Sequence, residues 1–143
     1  MIEIREAVRA DVLAICSFDH IAQYDDKRKQ FIIDAVSAER CSVAVVDSNV
    51  VGLVVLEYTF FACGFISLLY VHPHFRRQGI GSELIRHAET ICQTEKLFTS
   101  ANELNIAMQS FLRKLGYIRS GTIENLDEGD PEWIYFKRPV KRT

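Results

Sequence analysis

The sequence predicts a mixed α/β fold, in which helices cover a largely antiparallel sheet. Three observations predict it. Apolar residues recur with period two in some stretches and period 3.6 in others, in the order strand, two helices, three strands, helix, strand, helix, two strands. The chain has 143 residues, 48% of them hydrophobic, which suits one domain, 1–143, with a sizeable core. An apolar stretch from Phe65 to Val71 runs into Pro73 and a loop holding Gly79 and Gly81, and helical spacing begins directly afterwards.

Taken in order, Ile2 and Ile4 alternate with Glu3 and Arg5, so 2–6 reads as a strand. Asp11 precedes Val12, Ile15, Cys16 and Phe18, a short helix. A polar connection over 20–30 follows, and Phe31, Ile32, Ala35 and Val36 mark a second helix ending near Glu39 and Arg40. Tyr24 and the Asp25-Asp26-Lys27-Arg28 run lie in that connection. Cys41 to Val46 is a strand, and Asp47-Ser48-Asn49 is a turn signal. Val50 to Phe60 returns as a longer strand, in which Gly52 marks a bulge or a close backbone approach. Gly64 to Val71 is the next strand. Glu57, Tyr58, Ser67 and Tyr70 interrupt these apolar runs, either on a wet face or toward a reacting centre.

Pro73 stops the ladder because it has no N–H to donate. Leu84, Ile85, Ala88, Ile91 and Cys92 then fall on one helical face. Lys96 to Ser100 is a short strand, and Asn102-Glu103 a cap-like break. Leu104, Met108, Phe111, Leu112 and Leu115 recur at helical spacing, with Gly116 placed to end the helix. Tyr117 to Ile123 and Trp133 to Phe136 are the last strands. An acidic turn, 124–131, separates them, and a basic tail, 137–143, frays. No repeats, linkers or low-complexity segments occur.

The stretch from Val71 to Ser82 carries the functional signal. A strand runs into a glycine-rich loop that opens a helix, and the first helical turn offers free N–H groups and the positive end of the macrodipole. Glycines let a ligand's oxygens approach, and successive N–H groups form an anion nest. Arg76 and Arg77 add charge. A Walker A loop would need Lys and Ser/Thr after its second glycine, where Ile80, Gly81 and Ser82 stand out of register. A dinucleotide fingerprint would need Gly or Ala where Leu84 stands. A plain helix start with tight-turn glycines and solvated arginines is the non-functional alternative.

The third pattern, Arg-x-x-Gly-x-Gly from Arg76, Gly79 and Gly81 after Val71-x-Pro73, resembles the acetyl-CoA pyrophosphate loop of the GNAT superfamily of N-acetyltransferases. Asn105-x-x-Met108-x-x-Phe111-Leu112-x-Lys114-x-Gly116-Tyr117 resembles the family's second signature. The resemblance is strongest from Phe65 to Tyr117, and the N-terminal half matches by element order. It implies a GNAT-like acyl-CoA N-acyltransferase fold and transfer of an acetyl group from acetyl-CoA to a primary amine of a small molecule or peptide.

By the same resemblance, Leu69, Tyr70 and Val71 bind pantetheine and face the thioester oxygen through their backbone. Arg76, Arg77, Gln78, Gly79, Ile80, Gly81 and Ser82 take the pyrophosphate. Asn105 contacts the cofactor, caps the last helix, or both. The family's thiolate-protonating Tyr is here Leu112, which leaves Tyr117, Ser110 or water to help. Glu57, between Leu56 and Tyr58, is the first choice of general base, because partial burial would raise its pKa. His72 and His74 read as rim residues near the phosphates. The acidic run Glu124, Asp127, Glu128, Asp130 and Glu132 would attract a cationic acceptor. The departure at Leu112 keeps open a catalytically weak acyl-CoA-binding regulatory module, and ligand competition would test a nucleotide-binding alternative.

Composition narrows the rest. Charged residues make up 25% with a formal net charge of −2, unlike a general nucleic-acid binder. The four cysteines, Cys16, Cys41, Cys63 and Cys92, have no C-x-x-C spacing, so no metal site is expected and free thiols in a reducing compartment are. The N-terminus lacks a leader's charged and apolar regions, and no apolar run approaches the ~20 residues of a membrane span. A cytoplasmic protein that binds no membrane and can pair as a homodimer is expected.

Overall fold

Thirteen segments carry the sequence pattern into structure, in a computed structural model that describes residues 1–140. They are β1 (Glu3–Glu6), α1 (Asp11–Phe18), α2 (His20–Tyr24), α3 (Asp26–Ser37), β2 (Cys41–Val46), β3 (Asn49–Phe60), β4 (Cys63–Val71), a 3-10 turn (Pro73–Phe75), α4 (Ile80–Ile91), β5 (Leu97–Asn102), α5 (Ile106–Lys114), β6 (Ile118–Ile123) and β7 (Glu132–Lys137). The strand order is β1-β2-β3-β4-β5-β7-β6, and of the pairings with a defined register only β4 with β5 is parallel. The mixed α/β class with a mostly antiparallel sheet is therefore as the sequence predicted. Of the expected fraying tail, Lys137 closes β7, and residues 141–143 lie outside the described residues.

Contacts divide the chain into two compact units. One holds Met1–Leu56 with Leu68–Ala88, and the other holds Glu57–Ser67 with the chain from Glu89 onward. In the first unit, β1 pairs with β2 and β2 with β3, both antiparallel. Ile15 and Phe18 of α1, Ala22 of α2, and Ile32, Ala35 and Val36 of α3 pack with Val43, Leu53, Val55 and Leu68 into one apolar cluster. Burial of this apolar area drives its assembly.

The expected polar connection over 20–30 is instead α2 and the first turn of α3. Capping overrides composition here. Asp19 accepts the N–H groups of Ile21 and Ala22 at 3.1 and 3.2 Å, and Asp25 accepts that of Lys27 at 2.9 Å. Asp11, the first residue of α1, instead ties the helix start back to the chain before it. It accepts the Val8 N–H at 2.7 Å and both Nη groups of Arg5, at 2.8 and 3.0 Å. The hydrogen bonds from Arg5 outweigh burial and hold its carboxyl below the usual carboxylate range. A lowered folded pKa stabilises the fold above the unfolded pKa of about 3.9 and is lost as pH falls through the folded value. Asp11→Asn is accordingly expected to flatten the acid limb of a stability–pH curve below about pH 4, read by thermal melts.

Gly52 resolves into both of its predicted roles. The β2–β3 register slips between Ala44 and Val45, leaving Val51 as the extra residue. A Cβ on Gly52 would stand 3.1 Å from Leu84 Cδ1, 3.2 Å from the Tyr70 carbonyl oxygen and 3.3 Å from Ile80 Cγ2. Gly52 thus lets β3 pass close under the end of β4 and the start of α4. Gly52→Val is expected to cost about 1–3 kcal/mol through overpacking, visible in denaturant titration.

The second unit contains β5, α5, β6 and β7, with β5–β7 and β6–β7 antiparallel. Leu97, Ala101, Leu112, Tyr117 and Tyr135 are its buried side chains of note. Gly116 has φ +94° and closes α5 as expected. Two apolar positions depart from the pattern. Leu104 is 70% exposed, because it precedes the Asn105 cap and lies outside the helix, and Gln109 is buried instead, donating to the carbonyls of Asn102 and Glu103. Ile91, the last residue of α4, is exposed as well.

Candidate functional site

The end of β4 and the start of α4 belong to the first unit, and the loop between them is built from backbone constraints. Val71 ends β4, and the His72 N–H is tied to the Val51 carbonyl at 2.7 Å, so the bulge in β3 anchors the strand end. Pro73 starts the 3-10 turn, which the His72 ring closes by accepting the His74 N–H at 3.0 Å. Arg76 Nε donates to the Val71 carbonyl at 3.0 Å, holding its guanidinium 5.1 Å from the Tyr70 ring centroid.

Arg77 and Gly79 both have left-handed backbones, φ +63° and +83°. Such a conformation costs an arginine roughly 1–2 kcal/mol, strain of the kind that collects at ligand-binding loops. The Gly79 carbonyl accepts the Glu83 N–H at 3.0 Å, so Gly79 caps α4. A Cβ on Gly79 would meet nothing within 4 Å, which leaves open space before the loop backbone. Arg76, Arg77, Gln78 and Gly79 are exposed, whereas Ile80 is buried as the anchor of the first turn. The structure thus brings Arg76 through Ser82 together as a cationic loop at a helix N-terminus, where unpaired N–H groups and the macrodipole favour an anion.

Leu69, Tyr70 and Val71 are half-buried at the end of β4. The Tyr70 hydroxyl and His20 Nδ1 lie 2.7 Å apart, a hydrogen bond between β4 and α2. Phe18 stacks on the Tyr70 ring at 6.1 Å between centroids, and Arg28 lies 6.0 Å from the same centroid. Sequence reasoning took Tyr70 for its backbone and left its side chain between a wet face and a reacting centre, and it left His20 in a polar connection. A contact fifty residues apart leaves no local signal, although Asp19 as a helix cap would have placed His20 at the first position of α2. Tyr24 is 88% exposed. His72 and His74 lie on the loop with ring centroids 5.2 Å apart.

The remaining expected residues lie in the second unit. Glu57 is half-buried on β3, and Tyr58 beside it accepts the Gln93 N–H at 3.1 Å. The Ser67 hydroxyl is buried without a partner among the described residues. Asn105 caps α5, its Oδ1 accepting the Met108 N–H at 3.1 Å. Tyr117 is 1% exposed and donates its hydroxyl to Glu89 Oε2 at 2.8 Å, while Lys137 bridges both Glu89 oxygens and the Leu115 carbonyl. Burial first, then the bond to the Glu89 carboxylate, pushes the Tyr117 hydroxyl far above its ordinary range. Leu112 is fully buried, so the position of the expected tyrosine is a core position in this chain.

Much of the acidic run is structural. Asp127 accepts the Asn102 side-chain amide at 3.0 Å, Asp130 the Leu104 N–H at 3.0 Å, and Glu132 the Ser100 hydroxyl at 2.6 Å. Glu124 and Glu128 are exposed. Among the described residues no cluster of His, Cys, Asp or Glu could hold a metal ion, all four cysteines are free, and no helix is long and apolar enough to cross a membrane.

Comparison with known proteins agrees with this layout. A crystal structure of a GNAT-family acetyltransferase from Bacillus cereus is 35% identical, with TM-score 0.92 over 99% of both chains. The PaiA N-acetyltransferase of Thermoplasma acidophilum, solved in complex with coenzyme A, is 20% identical, with TM-score 0.75 over 96% of this chain and 99% of that one, a likeness of fold. A peptidyl-lysine N-acetyltransferase of Salmonella typhimurium is 38% identical over 63 residues, which is 44% of this chain and 42% of that protein. The family model described as "Acetyltransferase (GNAT) family" matches residues 6–117, including the loop, Asn105 and Tyr117, and the chain belongs to that family.

Proposed function

We propose that residues 1–143 act as one domain that transfers an acetyl group from acetyl-CoA to a primary amine of a small molecule or peptide. One observation carries this reading: the loop from Arg76 to Ser82, left-handed at Arg77 and Gly79 and open in front, set at the N-terminus of α4. A pyrophosphate fits it. Backbone N–H groups of 77–82 would donate to the phosphate oxygens, with Arg76 and Arg77 supplying charge-assisted contacts. The backbone of Leu69, Tyr70 and Val71 would hold the pantetheine arm, and Asn105 would contact the cofactor while capping α5. Acetyl-CoA supplies an activated acyl group as a thioester.

The chain's own residues then have two proton tasks. The acceptor must lose a proton before it can attack, and we assign Glu57 as the general base on its half-buried strand position. The departing thiolate needs a proton or tolerates its charge. Tyr117 is the proposed donor, its O–H turning from Glu89 to the thiolate and leaving a phenolate that water reprotonates. Glu57→Gln is expected to cut kcat/KM by about 10²-fold and shift the pH–rate profile, and an unchanged profile removes it as base. Tyr117→Phe keeps the ring but loses the donor. A rate within about twofold of wild type would assign Tyr117 to packing.

The acceptor is proposed to be cationic, drawn by Glu124 and Glu128 at the β6–β7 turn, and peptide lysine is one such group. The four free thiols support a reducing, cytoplasmic setting, and a homodimer remains part of the proposal. The fully buried Leu112 favours one second reading, a module that binds acyl-CoA without efficient turnover. Following CoA release by chromatography over polyamines, amino acids, aminoglycosides and peptides decides between them. Turnover with one amine class establishes the enzyme, whereas tight acetyl-CoA binding without turnover supports the module.

A further inference from the structure

All four histidines belong to the first unit, and of His20, His72 and His74 around the end of β4, His20 is bonded to a tyrosine. We infer that Tyr70 and His20 form a proton relay on the acceptor's side of the reaction, a role that rests on the acetyltransferase reading. Tyr70 immediately precedes Val71, whose carbonyl is gripped by Arg76 of the anion loop, so its phenol is fixed to the strand end that leads into that loop. Phe18 stacks on one side of the ring and tilts against the His72 ring at 5.4 Å. Tyr70 is half-buried, whereas His20 at the start of α2 is exposed. The pair therefore links a held, partly dry hydroxyl to a group in contact with solvent.

Arg28 of α3 and Arg76 of the loop lie 6.0 and 5.1 Å from the centroid of the same ring, as cations beside an aromatic face. Asp19, next to His20 in sequence, is fully buried and neutralised by Arg28 at 2.9 Å. His20 contacts Tyr70, and the charged and titratable groups around that ring are Arg28 of α3, Arg76 of the loop and, across Phe18, His72. In the step, after the ammonium has lost its first proton to the base and the amine has attacked, a second N–H bond, on the now cationic nitrogen, breaks and its proton joins Tyr70 Oη. The Oη–H bond of Tyr70 breaks and that proton joins His20 Nδ1. The acceptor nitrogen becomes neutral and His20 an imidazolium, which returns its proton to water through its exposed ring. No electron changes hands. Tyr70 is the group that touches the acceptor, and His20 acts through it.

This direction requires that neutral His20 carry its proton on Nε2, leaving Nδ1 to accept from Tyr70. Nitrogen-15 spectra of the whole protein test that directly, without any acceptor. The expected result is an unprotonated Nδ1 at neutral pH whose resonance moves in Tyr70→Phe. A protonated Nδ1, or a resonance unaffected by Tyr70→Phe, overturns the relay.

Kinetics supply the second test, with a short peptide bearing a free N-terminus and one lysine as acceptor. Tyr70→Phe and His20→Gln are each expected to lose about 10²-fold in kcat/KM near pH 7 and to recover toward high pH, with the acetyl-CoA dissociation constant changed less than about twofold. Normal acetyl-CoA binding with wild-type kinetics in both variants overturns the relay alone. Failure of the wild-type protein to bind acetyl-CoA overturns the acetyltransferase reading and the relay with it.

Discussion

Gly81→Val is expected to leave the protein folded and to lower its affinity for acetyl-CoA by about 10²-fold or more. The two effects separate because Gly81 lies in the first turn of α4. Valine has a better helix propensity than glycine, by a few tenths of a kcal/mol, so stability should hold or rise slightly. Binding suffers, because the new side chain holds phosphate oxygens away from the backbone N–H groups. Two lost charge-assisted hydrogen bonds at ~1.5–3 kcal/mol each exceed the ~1.4 kcal/mol that corresponds to tenfold. Gly79→Val makes a useful contrast. Nothing crowds its Cβ, but φ +83° strains any L residue, so this variant should lose both affinity and about 1–2 kcal/mol of stability. Calorimetric titration with acetyl-CoA beside thermal melts reads both quantities. Unchanged affinity in a folded Gly81→Val protein overturns the loop assignment.

The loop was legible in the sequence because its constraints are local. A strand-ending proline, glycines two apart and an arginine three residues before the first of them each act on their own neighbours. Element order was legible for the same reason, since periodicity is a property of adjacent residues. What escaped depends on distant partners. Nothing near His20 signals that its ring meets Tyr70, and nothing near Glu89 signals that it accepts a hydrogen bond from Tyr117 and pairs with Lys137. Capping lay between the two cases. Asp19 and Asp25 are ordinary helix-start residues, but among Lys, Arg and Gln their neighbours read as a polar linker. Leu104 shows the opposite error, where helical spacing was extended to the residue before the Asn105 cap that in fact begins the helix.

Asp19→Ala is the substitution expected to cost the most stability, about 3–5 kcal/mol, or roughly 10 °C or more in Tm for a chain of this size. Asp19 is fully buried and carries several duties at once. Its own N–H donates to the Ile15 carbonyl and closes α1, and its carboxylate accepts from Ile21 and Ala22 to open α2. The remaining oxygen takes Arg28 Nε at 3.0 Å and Nη2 at 2.9 Å, pinning α3 to the α1–α2 junction. Removing the carboxylate leaves two helix N–H groups without acceptors and a largely buried guanidinium without its counter-charge, and the second loss is the larger. Two further variants separate these terms. Asp19→Asn keeps a capping oxygen and loses the charge, so it should lie close to the alanine variant if the ion pair dominates. Arg28→Met combined with Asp19→Asn removes both charges and should recover much of the loss, since an uncompensated buried charge is the expensive state. Urea titration of the three variants measures this. A loss below about 1 kcal/mol in Asp19→Ala would show that the apolar cluster of Ile15, Phe18 and Ala22 holds the three helices together without it. A loss of the expected size would make the buried ion pair the fixed point from which α2 presents His20 to Tyr70.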